Sequence, residues 1–121
     1  MEPYQPRPNP ADSPYIIAHR GISAKAPENT HSSFSRAVAT SGVKMIELDV
    51  RMSQDDHIIV LHDKTLQRTS TGNGAARNYT LRELKEFDAG SWFHPSYASE
   101  RIPTLAEILR LTKDKTWVNI E

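Results

Sequence analysis

Short apolar bursts alternate with polar runs and with stretches of helical spacing along this chain. Tyr15-Ile16-Ile17-Ala18 stops at His19-Arg20-Gly21, which predicts a buried strand ending in polar residues. Pro27-Glu28-Asn29-Thr30 then carries helix-starting chemistry, with Asn29 or Thr30 able to accept bonds from the first free amides. Phe34, Ala37 and Val38 follow at helical spacing and Gly42 is the expected stop. Met45-Ile46-Glu47-Leu48-Asp49-Val50 predicts a second strand, and a helix between two strands predicts a parallel crossover unit.

Ile58-Ile59-Val60-Leu61 predicts a third strand that follows Val50 after only Arg51 to His57. A parallel return needs about a dozen residues or more, so strands two and three are expected to form a hairpin about Gln54-Asp55-Asp56. That pairing would bring Asp49 near His62. Thr69 to Asn78 is a predicted loop around Gly72-Asn73-Gly74. Thr80-Leu81-Arg82-Glu83 matches a capping box and leads into Leu81, Leu84 and Phe87; Thr104-Leu105-Ala106-Glu107 repeats it before Leu105, Ile108 and Leu109. Both helices present one apolar face and are expected to pack on a sheet. Thr116-Trp117-Val118-Asn119-Ile120-Glu121 predicts a fourth strand, whose apolar edge calls for a partner.

Composition narrows this picture. Five of the eight prolines (Pro3, Pro6, Pro8, Pro10, Pro14) fall within residues 1–14, which are therefore expected to form an extended arm outside the fold of residues 15–121. The 121 residues suit one domain. With 15 basic against 15 acidic side chains, nucleic acid or an anionic membrane is not expected as the main partner. The absence of cysteine removes disulfide scaffolds, zinc fingers and thiol chemistry. No apolar run reaches the roughly 18 residues of a membrane span, and the first residues lack a signal-peptide pattern, so a cytoplasmic location is expected.

Glu47 and Asp49 lie two apart on a strand and so share a face, away from Ile46, Leu48 and Val50. A solvated strand face gives the same pattern, but three other strands also end in ionisable residues: His19-Arg20, His62-Asp63 and Glu121. Polar clusters at strand ends are where α/β folds place their sites. Two carboxylates about 4 Å apart repel by about 4 kcal/mol at an effective dielectric near 20, so one is protonated or a cation lies between them. Three carboxylates without a thiolate favour a hard divalent ion, Mg²⁺, Ca²⁺ or Mn²⁺, over zinc. His19 and His62 suit proton transfer near neutral pH, although each also reads as a structural histidine, His62 anchored through Asp63. Arg20 offers a planar fork for phosphate oxygens or, equally, a salt bridge to a carboxylate such as Glu47. His31, His57 and His94 have no such company, Trp92 and Phe93 read as loop or core packing, and there is no G-x-S-x-G nucleophile elbow.

Taken in order, Ile17-Ala18-His19-Arg20-Gly21, Ala26-Pro27-Glu28-Asn29-Thr30, Ile46-Glu47-Leu48-Asp49-Val50, Val60-Leu61-His62-Asp63, Ile102-Pro103-Thr104-Leu105 and Asn119-Ile120-Glu121 resemble the glycerophosphodiester phosphodiesterase family from about Tyr15 onward. The resemblance implies a TIM-barrel-like fold that cleaves glycerophosphodiesters to sn-glycerol 3-phosphate and an alcohol, with water or a neighbouring glycerol hydroxyl as the attacking group. It implies His19 and His62 as the acid/base pair, Arg20 as the phosphate contact, and Glu47, Asp49 and Glu121 as ligands to the divalent ion. Related barrels act on lysophospholipids. A complete (β/α)₈ barrel takes about 250 residues. This chain is therefore expected to hold roughly the first four strands, an N-terminal half completed by self-association or by a C-terminal half.

Overall fold

The structure, a computed structural model, describes residues 16–121; the proline-rich stretch 1–14 and Tyr15 lie outside the described residues. Strands β1 (Ile16–His19), β2 (Val43–Leu48) and β5 (Trp117–Ile120) form a three-stranded parallel sheet in the order β1-β2-β5. Helix α1 (His31–Ala39) connects the first pair and α3 (Leu105–Thr112) precedes β5. A separate antiparallel ribbon joins β3 (Val50–Met52) to β4 (Ile58–Val60), with Val50 opposite Val60 and Met52 opposite Ile58. The strand expected over Met45–Val50 is thus interrupted at Asp49, where one length of chain leaves the sheet for the ribbon. The Asp49 carbonyl accepts from Leu61 N at 2.9 Å, so the backbone sets Leu61, not His62, opposite Asp49.

Helix α1 starts where its capping chemistry is complete. Thr30 Oγ1 accepts from Ser33 N and Ser33 Oγ accepts from Thr30 N, satisfying two free amides reciprocally. Phe34 and Ala37, one turn apart, face the sheet and are fully buried. They meet Ala18, Ile46 and Leu48 from the sheet, Val60 from the ribbon and Ile108 from α3 in the first core. A second core gathers Ile59, Leu61, Leu66, Leu84, Ala89 and Ile102 under the long loops. Strand alternation serves both: Val60 enters the first core while Ile59 and Leu61 enter the second.

Some local expectations are modified by packing. The helix predicted from Thr80 is a single turn, α2 (Leu81–Leu84), with its capping box complete; Phe87 lies beyond it and packs edge-on against Tyr79. At α3 only half of the box forms, because the Glu107 carboxylate turns to Lys85 Nζ at 2.9 Å. The first strand was expected to be buried, yet Ile16 and Ile17 are 54% and 50% exposed and only Ala18 is covered. The reason is topological: among the described residues β1 has a neighbour on one side only.

Candidate active site

Register brings the ionisable residues together at the carboxyl ends of the parallel strands. His19 pairs with Glu47, and Glu47 pairs with Asn119, so all three project from the face opposite α1 and α3. Asp49 falls on the same face two residues on, and Glu121 is held beside it: Glu121 N donates to Leu48 O at 2.9 Å and Glu121 O accepts from Val50 N at 3.2 Å. His19 Nε2 lies 2.9 Å from Glu47 Oε2. Arg20, the residue after β1, adopts a left-handed φ of 57° as the chain turns away, and its Nε reaches Asp49 Oδ2 at 3.2 Å. The salt-bridge reading of Arg20 therefore holds with Asp49 and Glu28 as its partners, in place of Glu47.

Asn29 is not the helix cap that its sequence context allows. Thr30 takes that role, and Asn29, at φ 56°, instead donates its Nδ2 to Asp49 Oδ2 at 3.0 Å. Two left-handed non-glycine residues of the same β1–α1 loop both end on the same carboxylate, a concentration of backbone strain typical of functional sites.

His62 enters from the other side. Its Nδ1 is 2.7 Å from Asp63 Oδ1, and Asp63 is gripped by Arg68, whose far edge holds Glu28. Glu28 in turn receives Arg20 Nη1 at 3.3 Å. The result is an unbroken polar chain, His62–Asp63–Arg68–Glu28–Arg20–Asp49, of which Glu28 and Arg68 had no assigned role in the sequence. The bonds from Arg68 and then His62 hold the Asp63 carboxyl far below the usual carboxylate range. Burial works to raise Glu28, but the bonds and charges of Arg68 and Arg20 outweigh it and lower its pKa. A small, open cleft lies beside this chain, with Glu28, Asn29, Thr30, His62 and Thr69 in its polar lining and Leu61, Ala89 and Ile102 among its apolar residues.

His31, His57 and His94 bond locally, to Ser35, Asp55 and Ser96. Trp92 donates to Ala89 O at 3.1 Å and stacks edge-on with Phe93, matching the packing reading of both residues.

Two buried oxygens, Glu47 Oε1 and Asn29 Oδ1, have no hydrogen-bond partner. Unsatisfied buried oxygens beside three carboxylates suit a hard cation. As the side chains stand, no three His, Asp or Glu residues form a ready cage among the described residues, because His19, Arg20 and Asn29 are seated on the carboxylates. The oxygen chemistry fits the ion, and these side chains sit on the oxygens that would bind it.

Glu47 bears the cost of that arrangement. Burial first, and the Asp49 charge next, raise its pKa; His19 and Arg20 oppose this and Glu121 adds to it. A carboxyl whose pKa is higher folded than unfolded contributes stability that is full below its ordinary value of 4.5 and is lost as pH rises through the folded value. Glu47→Gln is therefore expected to raise the thermal midpoint of chelator-treated protein at pH 7.5 by a few degrees, and to abolish stabilisation by added Mg²⁺ or Ca²⁺. Differential scanning fluorimetry decides it: a midpoint unchanged in chelator, with metal stabilisation intact, refutes the role given to Glu47.

Comparison with known proteins identifies the family and the fold. The Glycerophosphoryl diester phosphodiesterase family matches residues 19–121. A glycerophosphodiester phosphodiesterase of Caldanaerobacter subterraneus is 49% identical over 107 residues, which is 88% of this chain and 44% of that protein. The crystal structure of glycerophosphodiester phosphodiesterase from Agrobacterium tumefaciens superposes with a TM-score of 0.84 at 37% identity, covering 88% of this chain and 46% of that one. An Oleispira antarctica phosphodiesterase, solved in complex with the product sn-glycerol-3-phosphate, gives a TM-score of 0.84 at 40% identity, covering 91% and 44%. The chain thus spans under half the length of the relatives it matches, and its fold is part of a TIM-barrel-like architecture.

Proposed function

Since this chain belongs to the glycerophosphoryl diester phosphodiesterase family, we propose that it carries the acid/base and metal-binding part of an enzyme that hydrolyses glycerophosphodiesters to sn-glycerol 3-phosphate and an alcohol. The observation that carries this reading is the pairing of each histidine with a carboxylate, His19 with Glu47 at 2.9 Å and His62 with Asp63 at 2.7 Å, with the buried Glu47 Oε1 left without a hydrogen-bond partner. The product bound in the Oleispira antarctica relative supports the substrate class.

The side chains divide the work. Glu47, Asp49 and Glu121 would hold a divalent cation, Mg²⁺, Ca²⁺ or Mn²⁺, which when bound neutralises the phosphodiester charge. Arg20 Nε lies in ion-pair range of Asp49 without hydrogen-bonding it, Nη1 is bonded to Glu28, and Nη2 is available to bind a phosphate oxygen. Asp63 accepts from Nδ1–H of His62, so Nε2 is the atom that exchanges a proton; in His19, Nε2 faces Glu47 and Nδ1 is the free nitrogen. One imidazole takes the proton of the attacking oxygen as its bond to phosphorus forms. The other returns a proton to the leaving oxygen as the ester bond breaks.

Release of glycerol 3-phosphate from glycerophosphocholine, measured with each of the three metals and with chelator, tests the reading. Metal-dependent product is expected, and a lysophospholipid is expected to react more slowly. A folded sample that turns over neither compound in any metal overturns the assignment for this chain. A second reading rests on the exposed apolar residues of the outer strands, Ile16 and Ile17 on β1 and Ile120 on β5. It makes the chain a metal-binding half that is complete only when a further portion or a second copy covers those edges, and it predicts metal-dependent stabilisation without turnover. Among the described residues no helix is long and apolar enough to cross a membrane.

A further inference from the structure

Arg68 lies outside every motif that pointed to the site, yet its guanidinium is the most heavily committed group there. Nε and Nη2 meet the two oxygens of Asp63 at 2.8 and 3.1 Å. Nη1 and Nη2 meet the two oxygens of Glu28, both at 2.9 Å. The two carboxylates belong to loops that are distant in sequence. Glu28 sits between β1 and α1, on the loop that carries Arg20 and Asn29; Asp63 directly follows His62. With Nε, Nη1 and Nη2 all on carboxylates, four of the five N–H groups of Arg68 are committed.

The Arg68 side chain is 46% exposed, so water and salt screen part of what its two bidentate pairs contribute to stability. What a two-sided planar fork supplies is geometry. The His62 main chain is already secured, since Nε and Nη2 of Arg51 both donate to its carbonyl, at 3.0 and 2.7 Å. The ring keeps its side-chain torsions, and within the described residues its one polar anchor is Asp63. Asp63, on a surface loop, is oriented by Arg68.

We propose that Arg68 is the positioning residue for His62: it fixes the Asp63 carboxylate so that the ring holds Nδ1–H toward Asp63 and presents Nε2 to the reacting atoms, and it ties that assembly through Glu28 to the loop of Arg20. The inference rests on the proton-transfer role given to His62 above. It predicts that charge alone at position 68 is insufficient, because a lysine ammonium cannot span both carboxylates in one plane.

The test reads the ring directly. Imidazole ¹⁵N shifts of the isotopically labelled chain, with the His62 signals assigned by their loss in His62→Ala, report the tautomer without requiring turnover. At pH 8 the native protein is expected to show the Nδ1–H form, and Arg68→Gln and Arg68→Lys a shift toward the Nε2–H form. Where turnover is measured, both variants should lose about 10²-fold in kcat with KM within about threefold, the size expected when a reacting group is misplaced by about an ångström. Their thermal midpoints should fall by less than about 5 °C. An unchanged His62 tautomer in both variants overturns the proposal, as does a raised KM at native kcat, which would make Arg68 a substrate contact. Should one variant fail to fold, Asp63→Asn removes the same anchor and must shift the tautomer equally. If the native protein itself does not turn over, the functional reading fails alone, and the tautomer shift still decides the positioning role.

Discussion

Alanine at His19 or His62 is expected to lower glycerophosphodiester turnover by about 10²- to 10⁴-fold, the usual contribution of a positioned acid or base, while leaving divalent-metal binding largely intact. Among the described residues each ring is held by one nitrogen, His19 through Nε2 to Glu47 and His62 through Nδ1 to Asp63, which leaves the other for proton exchange. Removing His62 touches none of the oxygens assigned to the metal. Removing His19 frees Glu47 Oε2, which costs that carboxylate a partner but adds an available donor atom. Glu47→Ala and Asp49→Ala should behave in the opposite sense, weakening metal affinity and losing turnover with it. Isothermal titration with Mg²⁺ or Ca²⁺, run beside the activity assay, separates the two classes. If the histidine variants lost metal as severely as the carboxylate variants, the division of labour between imidazoles and carboxylates would be wrong.

Gly21→Ala should destabilise the protein by roughly 2 to 5 kcal/mol, enough to unfold much of the population, whereas Gly74→Ala should cost only about 1 kcal/mol. The two glycines have nearly the same backbone conformation, φ +82° and +84°, so the left-handed strain of an added Cβ is common to both. Their surroundings differ. A methyl at Gly21 would lie 2.6 Å from the main-chain carbon of Ser33, while at Gly74 nothing stands within 4 Å. Ser33 cannot withdraw, because it completes the α1 capping box, donates Oγ to Arg20 O at 3.0 Å, and accepts from Ile22 N at 3.0 Å through its carbonyl. Crowding at Gly21 would therefore reach the start of α1 and the turn carrying Arg20 together. Chemical denaturation of the two variants gives the comparison. Equal losses would show that strain alone, and not the contact with Ser33, sets the cost.

The contrast between those glycines also separates what was legible in the sequence from what was not. Gly21 ended a predicted strand, and Gly74 lay in a predicted loop. Nothing local distinguished one as a point of close approach. The same holds for Ser33, an ordinary polar residue by sequence, which is fully buried at the junction of β1 and α1. The first cap stayed open between Asn29 and Thr30 until the fold set it at Thr30, while Thr80 and Thr104 were readable because a cap and its partners lie within one turn of chain. Even there, the second half of the Thr104 box yielded to a tertiary competitor, Lys85.

By itself the sequence established the alternation of strands and helices and the capping roles of Thr80 and Thr104, and it set Glu47 and Asp49 two residues apart, since all of these follow from short-range pattern. It also carried the family resemblance, through motifs that are each contiguous. Only the tertiary structure decided that Arg20 and Asn29 converge on Asp49, that Arg68 joins Glu28 to Asp63, and that Ile16 and Ile17 lie open at a sheet edge. Asn29 meets Asp49 across 20 residues and Arg68 meets Glu28 across 40. Such pairs leave no periodic trace, because a charged side chain is written the same way whether it faces water or a partner brought beside it by the folding of distant loops.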